Sequence, residues 1–131
     1  MILAEMSIEL NMEKQFLKDI AKKAIIISNN EPIDLSVCHG ASGVLQSLLF
    51  TYRATNDEWY LSLANAFWGK VLDLSKKNGF YTGEKNRDYI LGYFLGWSGF
   101  ADSCLLLVQF NNKQKPWIPL NLSSSIYQEN L

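Results

Sequence analysis

The chain has 131 residues, 48% of them hydrophobic and 19% charged, with a formal charge of -1. This is the size and composition of one globular domain with a full core, and it excludes a disordered chain. A nearly balanced charge without any Lys/Arg block leaves no expectation of nucleic acid or anionic membrane as partner.

The two cysteines, Cys38 and Cys104, stand far apart in unlike surroundings. No disulfide framework is expected, and a reducing, cytoplasmic setting is. The opening MILAEMSIEL lacks the basic region and cleavage site of a secretory signal. Apolar runs such as CLLLV at 104–108 fall far short of the roughly 20 residues that span a bilayer, so no transmembrane segment is expected.

In chain order, residues 2–28 have helical apolar spacing, broken at Asn11 into a short helix and a longer one. The stretch IDLSVCHGASGVLQSLLF, 33–50, places the only histidine directly after a cysteine and just ahead of a helix predicted over 41–54. A short turn at ATND leads to a helix from about 57 to 76, where Trp59, Tyr60, Leu63, Ala64, Phe67, Val71 and Leu74 form one stripe. Asn56 and Asp57 suit its N-cap and first turn, where side-chain oxygens meet free backbone N–H groups. The loop NGFYTGEKNRDY, 78–89, is rich in turn formers, and a further helix carries DSCLLLV. Pro116 and Pro119 then end the periodicity. Trp117, Ile118 and Leu120 are expected to pin an irregular segment on the core, with a frayed tail over 123–131.

The helical hairpin recurs. A slide of 44 positions sets Glu13, Lys14, Phe16 and Leu17 on Asp57, Glu58, Tyr60 and Leu61. A slide of 56 sets Gly40, Ser42, Gly43, Ser47 and Leu49 on Gly96, Ser98, Gly99, Ser103 and Leu105. Repeated helix pairs bury their faces against neighbouring copies, so the expected fold is all-α and built as a solenoid or closed ring. In the shared G-x-S-G, Gly and Ser at a helix start let helix ends approach closely or turn backbone N–H groups toward a ligand. Without a following Lys in P-loop spacing, the four glycines read as packing hinges rather than a phosphate cradle.

Cys38 and His39 are the residues with chemistry. Thiolate and imidazole are zinc donors, two neighbours on a tight turn can converge on one ion, and a helix N-terminus behind them favours thiolate. A catalytic zinc takes three protein ligands, and Cys104 reads as a core residue instead. Asp34, four residues before Cys38, reads as a ligand or as a cap. The alternatives are a packed turn with a hydrogen-bonded imidazole, or a cysteine nucleophile with a neighbouring base, which lacks an evident orienting residue. Glu84 and Asp88 could form a carboxylate pair but read as solvated loop charges, as does Arg87; Tyr93 is a candidate for a cavity mouth.

Taken together, LSVCHGASGVLQSLL, TNDEWYLSLANAF, GYFLGWSGFADSCLLL and KPWIPLNL resemble the C-terminal part of the lanthionine synthetase C-like (LanC) family, the cyclases that close thioether rings in lantibiotic precursor peptides. The resemblance spans 1–122 and covers about the last third of a complete cyclase. It implies a partial α/α toroid with Cys38 and His39 as two of three Zn2+ ligands. The third would be a cysteine in a Trp-Cys-x-Gly motif, which this sequence lacks. The 44-residue register sets that motif's equivalent ahead of Met1, so the expectation is a C-terminal fragment, inactive alone, that meets a dehydrated precursor peptide and the remainder of the cyclase. Bound zinc would lower the pKa of a substrate cysteine, whose thiolate adds to dehydroalanine or dehydrobutyrine. No catalytic side chain is inherited from the family's earlier part. The competing reading is a non-catalytic helical interaction module that uses Trp59, Trp68 and Trp97.

Overall fold

The computed structural model describes residues 14–29, 32–83 and 90–114. The expected break at Asn11, the loop charges Glu84, Arg87 and Asp88, and the Pro116–Leu131 tail lie outside the described residues. Within them the fold is all-α: α1 (Lys14–Ser28), α2 (Ala41–Thr55), α3 (Glu58–Asn78) and α4 (Trp97–Asn111). No described helix is long and apolar enough to cross a membrane.

The α2–α3 hairpin follows from its turn. Asn56 adopts a left-handed conformation (φ 52°) and closes α2 by donating its N–H to the Tyr52 carbonyl. Asp57 then starts α3, its carboxylate accepting from the Trp59 N–H at 3.0 Å. The predicted division of labour is therefore revised: Asn56 belongs to the helix before the turn and Asp57 to the one after. At the far end of α3, Lys76 and Lys77 meet the negative end of the helix dipole.

The predicted stripe is the buried face of α3. Tyr60, Ala64, Phe67, Trp68 and Val71 are buried, and Trp59, Leu63 and Leu74 pack on them. They meet Leu45, Leu48, Leu49 and Phe50 of α2, the central helix, which contacts each of the other three. Phe110 of α4 sets its ring edge-on to Phe50, with centroids 6.0 Å apart. Residues 34–35 and 81 run side by side, with the Leu35 N–H donating to the Tyr81 carbonyl at 2.8 Å.

The 44-residue slide sets Phe16 and Leu17 of α1 on Tyr60 and Leu61 of α3. Their faces differ, since Tyr60 is buried while Phe16 is 48% exposed. The 56-residue repeat keeps the bonds of its glycine–serine frame. The Ala41 N–H donates to the Asp34 carbonyl and the Trp97 N–H to the Ile90 carbonyl; Ser42 Oγ donates to the Leu35 carbonyl and Ser98 Oγ to the Leu91 carbonyl. Ser47 and Ser103 each donate to the carbonyl of the repeat's second glycine. At Gly43 and Gly99 a Cβ would collide with the carbonyls of Val37 and Tyr93, so each helix start presses directly on its own loop. The copies part at Leu49, which is buried, and Leu105, which is 48% exposed. α2 is covered on three sides; among the described residues α4 meets only α2 and α3 above incidental contact.

Candidate metal half-site

The loop 33–40 carries the chemistry, and its twin 90–96 shows which residues the fold does not need. Both loops keep the glycine and serine frame, but Asp34, Ser36, Cys38 and His39 correspond to Ile90, Gly92, Phe94 and Leu95. The same backbone is built without any of the four polar side chains. Three of them, Asp34, Ser36 and His39, form a hydrogen-bonded network, and Cys38 stands beside it as an exposed thiol.

Asp34 is its hub. Its Oδ2 lies 2.7 Å from His39 Nδ1 and accepts from Ser36 Oγ at 3.0 Å. Its Oδ1 accepts the N–H groups of Ser36 and Gly83, each at 2.8 Å. Burial alone would raise this carboxyl, but the bonds from Gly83, Ser36 and His39 outweigh it and hold Asp34 below the ordinary carboxylate range. An ionised carboxylate only accepts, so the Nδ1 side of His39 faces it with an N–H, and in the neutral ring that tautomer leaves the lone pair on Nε2. This carboxylate–histidine arrangement is the one that orients metal-binding imidazoles. The Asp34 side chain is thus not a helix cap: Gly40 occupies the N-cap of α2 without a side-chain bond, and the Asp34 carboxylate is engaged by His39, Ser36 and Gly83.

Two further segments brace the loop. Gly83 leaves room for the imidazole, since a Cβ there would sit 2.8 Å from His39 Cε1. The Phe94 carbonyl accepts from both Val37 and Cys38 N–H groups, at 3.0 and 2.9 Å. Cys38 and His39 are both exposed, and both line a cavity of about 340 Å³ between α1 and α2, walled by Leu17, Ala21, Ala24, Val44 and Leu48.

The donor set fits one part of a zinc site: an exposed thiol beside an imidazole with a fixed tautomer. Among the described residues no group of three His, Cys, Asp or Glu side chains is arranged to hold a metal ion. Cys104 is half-buried on α4 against the core and Trp68, and burial, offset in part by the Trp68 contact, pushes its thiol up. It stays in the helix face where its sequence placed it. Sequence reasoning singled out Cys38 and His39 but missed what Asp34, Ser36 and Gly83 do. The signal was available, because carrying the 56-residue comparison six positions further back exposes the four polar-to-apolar differences.

Tyr93, a candidate for a cavity mouth, is tied to Gln46 and Asp102 instead and does not line the cavity. Trp68, one of three aromatics a partner would need, is 2% exposed and belongs to the core. No curated protein and no solved structure matches the chain. The family model described as lanthionine synthetase C-like protein matches residues 1–120. The G-x-S-G frame, the Cys38–His39 pair and that match agree: the chain belongs to the lanthionine synthetase C-like family.

Proposed function

We propose that this chain contributes a zinc half-site to thioether-ring formation in peptides, with Cys38 and His39 as two metal ligands and Asp34 as the carboxylate that orients His39. The observation that carries the reading is the 2.7 Å contact of Asp34 Oδ2 with His39 Nδ1, which leaves Nε2 available beside the exposed Cys38 thiol on one cavity. When bound, zinc supplies the Lewis acidity that lowers the pKa of a substrate cysteine thiol. The sulfur then bonds to the β-carbon of a dehydroalanine or dehydrobutyrine, and the α-carbon takes a proton, so the addition is redox-neutral.

The chain's own residues bind and orient. Asp34 holds the Nδ1 proton, Gly83 gives the ring space, and the apolar faces of α1 and α2 wall the cavity. On this reading a third ligand comes from outside the described residues, and the hairpins form part of an α/α toroid. Chelator competition tests it: the wild type holds one zinc per chain, and Cys38→Ala and His39→Ala each weaken the affinity at least tenfold. Equal affinities in all three proteins would overturn it. A non-catalytic helical module, by contrast, would bind its partner unchanged in Cys38→Ala.

A further inference from the structure

His39 and Cys38 are braced from different sides. The imidazole is held through Asp34 and Gly83, whereas Cys38 is held through its backbone by the twin loop, at the Phe94 carbonyl. Frame bonds anchor the start of that loop, at Ile90 and Leu91. Its crest carries little apolar anchoring, because Phe94 and Leu95 are both exposed.

What fastens the crest is a polar clasp. The Tyr93 hydroxyl donates to Asp102 Oδ2 on α4 at 2.8 Å and accepts from Gln46 Nε2 on α2 at 3.0 Å. Gln46 Nε2 also donates to Ser103 Oγ at 2.9 Å, and both residues are buried. Gln46 and Asp102 are equivalent positions of the two copies, so the phenol joins α2 to α4 through matching sites. Burial, reinforced by the Asp102 bond, pushes the Tyr93 hydroxyl well above its ordinary value and keeps it a neutral donor. The site loop has Val37 where the twin has Tyr93, so the clasp is an addition to the shared frame.

We propose that Tyr93 is a positioning residue for Cys38, its hydroxyl fixing, through Asp102 and Gln46, the Phe94 carbonyl that holds the Cys38 backbone. The consequence for metal affinity rests on the zinc reading; the positioning itself does not.

The test is residue-resolved amide hydrogen exchange on the metal-free full chain. Tyr93→Phe keeps the ring and its backbone packing on Gly99 and deletes the hydroxyl. Loss of a partly buried hydrogen bond to a carboxylate shifts a local opening equilibrium by about tenfold. The Val37 and Cys38 amides therefore exchange about tenfold faster, while the Leu35 amide, bonded to Tyr81, keeps its wild-type rate. Asp102→Ala gives the same selective pattern and serves should Tyr93→Phe not fold. Asp102→Asn, whose amide oxygen still accepts, stays within about twofold of wild type. Zinc affinity, read by chelator competition, falls by about tenfold in Tyr93→Phe and not in Asp102→Asn. Unchanged Val37 and Cys38 exchange, or equal acceleration along the whole chain, would overturn the proposal. A wild type that binds no zinc would sink the ligand reading and leave the exchange pattern to decide the role of Tyr93.

Discussion

Asp34 is the side chain on which most of the site depends, because one carboxylate satisfies two backbone N–H groups, a hydroxyl and an imidazole. Asp34→Asn keeps the shape but loses the ionised acceptor that fixes the His39 tautomer. Zinc affinity should fall by about 10–100-fold, the usual effect of removing an orienting carboxylate, in a titration where helicity by circular dichroism stays unchanged. Glycines give predictions of opposite sign. A Cβ on Gly43 would collide with the Val37 carbonyl, which cannot yield without moving the loop. Gly43→Ala should cost about 1–3 kcal/mol. An added Cβ at Gly69, exposed in the middle of α3, meets nothing within 4 Å. Gly69→Ala should therefore stabilise by about 0.5–1 kcal/mol through helix propensity. Urea denaturation of the two variants reads both signs.

Among the helices, the tie between α1 and the α2–α3 turn is electrostatic. Lys18 Nζ lies 3.0 Å from Asp57 Oδ2 and 5.0 Å from the centre of the Trp59 ring. Lys18 first, and then the Trp59 N–H, hold the Asp57 carboxyl below its ordinary value of 3.8. A folded value below the unfolded one adds stability above the unfolded value, and that stability is lost as pH falls through the folded one. The urea midpoint should thus drop as the solution is acidified below about pH 4. Asp57→Asn should flatten part of that drop, leaving the part due to Asp34, whose carboxyl is lowered as well. The helices themselves were legible in the sequence because their signals are local: a 3.6-residue stripe on α3, an Asp at its N-cap, a glycine at each repeated helix start. The exchange of roles at Asn56 and Asp57 was not, since either residue type caps a helix and only the left-handed backbone decides. Nor were Phe94 and Gly83, which enter the site through main-chain atoms that carry no side-chain signature.

For the molecule as a whole, the repeat explains how the Asp34–His39 network and the exposed Cys38 are carried by so short a stretch of chain. Two loops of equal backbone lie against two helices, and each loop reaches across to the other copy: Val37 Cγ2 approaches Gly99 at the start of α4, and Tyr93 reaches Gln46 on α2. One copy supplies frame alone, the other frame and donors. The core that joins them is shared, so Leu45→Ala and Leu106→Ala, both fully buried, should each cost about 2–5 kcal/mol in chemical denaturation. In the proposed function Cys38 and His39, not Cys104, hold the metal. Cobalt(II) substituted for zinc tests this most directly, because a thiolate bound to cobalt gives a charge-transfer absorption that an unliganded thiol does not. This absorption should persist in Cys104→Ser and disappear in Cys38→Ser. An absorption that survives Cys38→Ser, or that vanishes with Cys104→Ser, would contradict that assignment.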